Sequence, residues 1–156
     1  MDLENLAHIA DIAGSVAVVL SLVFVGMQVR QNTRAIRATT YNTIVQNSIA
    51  ILAPQFMHQE FTEFMAKFQS DPQAATPAET ARFHAIMLAA FRHWDNLYYQ
   101  FRNGMLEAEM WESYHCTMSS WLDRAAWRDW FDAHARMFSE SLQALIRQRI
   151  ASMPRG

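Results

Sequence analysis

Between Asp11 and Arg30 the chain runs for 18 residues without a charge, from Ile12 to Val29 (IAGSVAVVLSLVFVGMQV). At 1.5 Å rise per residue, a helix of that length spans roughly 27 Å, close to the ~30 Å hydrocarbon core of a bilayer. Such a helix is stable either inside the core of a soluble fold or against lipid. The sequence favours lipid. No Lys or Arg precedes the run, and no small-residue cleavage site with a polar segment after it is evident. A retained membrane anchor is therefore expected rather than a cleaved signal peptide.

The flanking charges predict an orientation. The ten residues before Asp11 carry Asp2, Glu4 and His8 but no Lys or Arg, whereas Arg30, Arg34 and Arg37 follow the run at once. Basic residues at the end of a span stay on the cytoplasmic side. The amino terminus is expected outside and the rest of the chain in the cytoplasm. Their spacing places the three arginines on one helical face, suited to anionic headgroups as well as to stopping transfer. Within the span, Ala10 and Gly14, and Ala13, Ala17 and Ser21, recur four apart. Small side chains let helix backbones approach closely in lipid, so these positions are expected to face another transmembrane helix, from a second copy or another membrane protein.

The rest of the chain reads as all-helical. Gly and Pro number only four each among 156 residues, too few for a turn-dense β fold. No Pro or Gly occurs between Gly26 and Pro54, so the first helix is expected to continue to Leu52, with Gln31–Thr33 as the weakest stretch. Pro54 should end it and open a second helix bearing Phe61, Phe64, Met65 and Phe68, with a loop over 70–75. Thr76-Pro77-Ala78-Glu79 is a capping box with Pro at the first helical position. The helix it opens repeats Phe83, Met87, Ala90, Trp94, Leu97 and Phe101 along one seam, and Asn103-Gly104 stops it. A fourth helix carries Leu106, Met110, Tyr114, Met118 and Trp121. A fifth carries Trp127, Phe131, His134, Phe138, Leu142 and Leu145 to about Ser152. The expected organisation is a tail and membrane-spanning helix over 1–30 and an antiparallel four-helix cytoplasmic bundle over 31–156.

Three segments carry a family resemblance. Val29-Arg30-Gln31-Asn32-Thr33-Arg34-Ala35-Ile36-Arg37-Ala38 after an apolar anchor resembles the opening of a family of small, uncharacterised bacterial single-pass membrane proteins. Asp95-Asn96-Leu97-Tyr98-Tyr99-Gln100-Phe101-Arg102-Asn103-Gly104, followed by Trp111, is similar to its second signature. Trp127-Arg128-Asp129-Trp130-Phe131 is similar to a third, although Asp123-Arg124-Ala125-Ala126 stands where members often have a Pro-Gly loop. The resemblance implies an anchor with a helical bundle in the bacterial inner membrane. It implies no activity.

Chemistry candidates are few. The formal net charge of −2 argues against a nucleic-acid partner, and the one cysteine, Cys116, rules out a disulfide framework. Phosphate-loop, nucleophile-elbow and H-E-x-x-H motifs are absent. Glu112 and His115 form a single E-x-x-H, whereas di-iron bundles use two with further glutamates. With His134 they are the remote candidates for a metal-dependent redox site. His134 falls within the apolar seam, where it is expected to bond a partner such as Tyr114 or Asp95. Asp95 and Asn96, beside the seam, suggest a buried polar network. His84 and His93, nine apart, should face different ways. Four of the five tryptophans lie between Trp111 and Trp130. Together with the methionines, this makes Trp94, Tyr98, Trp111, Tyr114, Met118 and His134 the candidate lining of an apolar pocket. No cofactor is expected. The leading expectation is a non-enzymatic accessory or assembly subunit of a membrane complex, or a homo-oligomer, whose partners are lipids and other transmembrane helices. The alternative is a membrane-tethered module that binds a lipid or quinone.

Overall fold

The computed structural model describes residues 3–153. Among these residues six α-helices follow one another: α1 (Leu3–Met57), α2 (Gln59–Ser70), α3 (Pro77–Arg102), α4 (Ala108–Leu122), α5 (Ala125–His134) and α6 (Glu140–Ala151). Short 3-10 turns cover Pro72–Ala74 and Ala135–Met137, and no strand occurs among the described residues. The chain divides into two compact units, Met1–Thr39 and Thr40–Gly156, a boundary nine residues beyond the one expected at 30/31.

The first unit is a single stretch of α1, unbroken through Gln31–Thr33. Thr33 returns its hydroxyl to the Val29 carbonyl at 2.9 Å, the local bond by which a helix accommodates a threonine. Its apolar residues are exposed: Leu20 at 63%, Leu22 at 67% and Phe24 at 60%. The helix is long and apolar enough to cross a membrane.

In the second unit α1 goes further than the sequence predicts. Pro54 lies inside the helix, which continues one more turn to Met57. The missing N–H leaves the Ala50 carbonyl without its usual partner. The chain turns at His58, in extended conformation, whose N–H donates to the Pro54 carbonyl at 3.2 Å. The segment over 70–75 holds a 3-10 turn because Asp71 accepts from the N–H groups of Gln73 and Ala74.

Helix α3 is the spine of this unit and contacts α4, α5 and α6. It begins at the predicted capping box: Thr76 accepts from the Glu79 N–H, and Glu79 accepts from the Thr76 N–H at 2.7 Å. It ends at Gly104, whose φ of 69° only glycine adopts freely. Phe83, Met87, Ala90, Trp94 and Leu97 are buried as the seam requires. Phe91, off that seam, is fully buried too and packs against Trp94, Trp127, Trp130, Phe131 and Phe138 with centroids 4.9–6.1 Å apart. The apolar stripe of α3 is thus wider than a two-position seam, as expected of a helix covered on several sides.

The expected four helices after the first are in fact five, because the last is two. Phe138 is extended, and Ser139 caps α6 by accepting the Leu142 N–H at 3.2 Å. Asp95 on α3 fixes that break, accepting from the Ser139 N–H at 3.0 Å and from its hydroxyl. Two bonds to a carboxylate hold the chain out of the helix at this point.

Candidate functional site

A cleft of about 170 Å³ opens in the second unit between α1, α3 and α4. Its lining follows helical spacing on each element: Ser48, Ile51 and Leu52 from α1, Ala90, His93 and Trp94 from α3, and Tyr114, Thr117 and Trp121 from α4. Positions i, i+3 and i+4 share one face, so three amphipathic faces that pack imperfectly leave the space between them. Nearly all of the wall is apolar.

Ser48 and His93 form a polar corner in it, and Tyr114 and Thr117 also bring hydroxyl-bearing side chains to the lining. The Ser48 hydroxyl donates to the Ile44 carbonyl at 2.9 Å, and His93 Nε2 lies 2.9 Å from Ser48 Oγ. A hydroxyl has one proton to give, so satisfying both contacts requires that Nε2–H donate to Ser48 Oγ. Nδ1 of the neutral ring then carries a lone pair. Burial lowers the His93 pKa from its ordinary value, which keeps the ring neutral.

Behind the cleft, Trp127 packs against the two indoles of its wall, with centroids 4.5 Å from Trp121 and 5.8 Å from Trp94. Its own indole N–H is buried without a hydrogen-bond partner among the described residues. Such an orphan costs about 1–3 kcal/mol.

The predicted pocket residues are only partly brought together. Trp94 and Tyr114 line the cleft. Tyr98 and Trp111 pack on each other at 5.1 Å, and Met118 is buried in the core. His134 belongs to a different cluster and is half-buried rather than enclosed. Its Nδ1–H donates to the Trp130 carbonyl at 2.8 Å, its ring stacks on Trp130 at 4.3 Å, and the His84 ring meets it edge-on at 4.8 Å. His84 Nδ1 accepts the Trp130 indole N–H at 3.3 Å. The expected partners of His134, Tyr114 and Asp95, are engaged elsewhere, with the His93 ring and with Ser139 respectively. His84 and His93 do face different neighbours. Asp95 forms a side-chain contact at the surface with α6, and Asn96 is exposed, so no buried network joins them.

Of the metal candidates, Glu112 is exposed and His115 stacks on Trp111 at 5.5 Å. Among the described residues, no group of three or more His, Cys, Asp or Glu side chains is placed to hold a metal ion. Cys116 is exposed.

In the first unit, Arg30, Arg34 and Arg37 are exposed, as are Ala13, Gly14, Ala17 and Ser21; the Ala10 side chain lies outside the described residues. Open space surrounds Gly14.

The sequence missed Ser48, Ile51, Leu52, Ala90, His93, Thr117 and Trp121 as lining residues. A signal existed in Ser48-Ile51-Leu52, a helical face with one hydroxyl, but only the third dimension pairs it with His93. The chain matches no protein-family model, no curated protein and no solved structure.

Proposed function

We propose that the chain is a non-enzymatic, single-pass protein of the bacterial inner membrane, serving as an accessory or assembly subunit of a membrane complex or as a homo-oligomer. The observation that carries this reading is the exposure of the apolar residues from Ile12 to Val29. Burying a Val, Leu or Phe side chain is worth about 1.5–3 kcal/mol, and along this stretch that gain is left for lipid or another helix to supply. The arginines at 30, 34 and 37 support an amino terminus outside and an antiparallel helical bundle in the cytoplasm. Ala10, Ala13, Gly14, Ala17 and Ser21 supply the close-approach positions for a partner helix. Mild detergent extraction followed by mass measurement of the particle tests the reading. A defined oligomer or a co-purifying membrane protein is expected, and a strictly monomeric particle would overturn it.

A second reading, a membrane-tethered module for an apolar ligand, is favoured by the cleft beside His93, Trp94 and Trp121. Such sites are mostly apolar with a few placed polar groups.

A further inference from the structure

We infer that the cleft between α1, α3 and α4 takes a small aromatic ring bearing one hydroxyl, a phenol, whose O–H donates to His93 Nδ1. This rests on the second reading above and names the ligand class for it. An apolar cavity of ~150 Å³ holds a benzene ring, and the cleft measures about 170 Å³. One six-membered ring with a short substituent fits, and a folded lipid chain does not.

The polar corner then selects among rings. Ser48 spends its proton on the Ile44 carbonyl, and His93 spends its Nε2–H on Ser48. Neither partner has a further proton to give, since the serine oxygen and Nδ1 of the His93 ring hold only lone pairs. A ligand that offers only acceptors, such as a quinone carbonyl, would set lone pair against lone pair there. One that offers an O–H satisfies the corner and keeps its donated hydrogen bond on leaving water. The indoles of Trp94 and Trp121 in the lining suit an aromatic ring, for which offset and edge-on contacts are favourable.

The test uses the full chain in detergent micelles with two probes, 4-propylphenol and 4-propylanisole, which differ by a methyl cap on the oxygen. Binding is followed through the indole N–H signals of Trp94 and Trp121 in nitrogen-15 spectra. The phenol should perturb both signals and bind about tenfold more tightly than the ether, the effect of one hydrogen bond made by the hydroxyl alone. His93→Leu should erase that preference while leaving binding of the ether. Thr117→Phe, at an exposed rim position, should block both probes and serves if His93→Leu does not fold. Equal affinity for the two probes would overturn the inference yet leave an apolar site standing. A phenol preference that survives in His93→Leu would do the same. No perturbation by either probe would remove the inference and the second reading together.

Discussion

His93 Nε2 lies 2.9 Å from the Ser48 hydroxyl, although 45 residues separate the two in the chain. This bond ties α1 to α3 in the wall of the cleft and fixes the imidazole tautomer. Ser48→Ala leaves the Nε2–H without an acceptor in a half-buried site. The expected loss is about 1–2 kcal/mol in equilibrium denaturation of the full chain. The same burial gives a pH signature. His93 has a lowered pKa in the folded state, so the unfolded chain binds more protons below the ordinary value of 6.5. Its contribution to stability is complete above that pH and falls as the pH drops from 6.5 toward the folded pKa. His93→Gln should flatten this limb of the stability profile, and an unchanged profile would place the titration elsewhere.

Trp127 separates shape from hydrogen bonding. Its indole fills the core between Trp94, Trp121 and Phe91, yet its N–H finds no partner among the described residues. Trp127→Phe removes both apolar area and the orphaned donor, and these effects oppose one another. The net change should be within about 1 kcal/mol. Trp127→Ala leaves a cavity and should cost about 3–5 kcal/mol. Similar losses in the two variants would show that the N–H is satisfied in solution.

Two caps of α3 and α6 should behave as separate, additive elements. Thr76→Ala and Ser139→Ala each remove a side-chain acceptor from a helix start, at a cost of about 1 kcal/mol. Ser139→Ala also strips Asp95 of one donor, so the larger effect belongs there. Glu79 adds an acid limb. The Thr76 N–H, then Lys67 at 3.1 Å, pull its pKa down from 4.5 to about 2. Stability from Glu79 is present above pH 4.5 and is lost as the pH falls through about 2. Glu79→Gln should remove that acid limb from a pH-dependent melting series.

Local signals made the helices legible, and the site was not. The capping box at Thr76, the stop at Gly104 and the seam from Phe83 to Leu97 are each contained in a few consecutive residues. The break at Ser139 was missed because no Gly or Pro marks it. It depends on Asp95, 44 residues away. Pro54 misled in the opposite sense, since the helix tolerates it and ends a turn later. The cleft could not be read because a void is a property of how three faces fail to fill space. His93 and Ser48 have no special spacing until the fold brings them together.

The proposed membrane span makes a direct prediction about partitioning. Leu20 lies midway along the uncharged run and is exposed. An arginine at the centre of a span costs about 2.5–3.5 kcal/mol in insertion. Leu20→Arg combined with Val23→Arg should move the chain from the carbonate-resistant membrane pellet to the supernatant. The same pair at Ile49 and Met57, outside the run, should not. A wild-type chain that is already in the supernatant would refute the span.

Cys116 supplies the orientation test, because it is the one cysteine in the chain and is exposed. If the arginines at 30, 34 and 37 hold the second unit in the cytoplasm, a membrane-impermeant maleimide should leave Cys116 unlabelled in intact spheroplasts. It should label fully after lysis. Changing Arg30, Arg34 and Arg37 together to glutamine, with three lysines added before Asp11, reverses the charge bias across the span. A fraction of the chains should then become labelled without lysis. Full labelling of the wild-type chain in intact spheroplasts would put the second unit on the outer face and reverse the assigned topology.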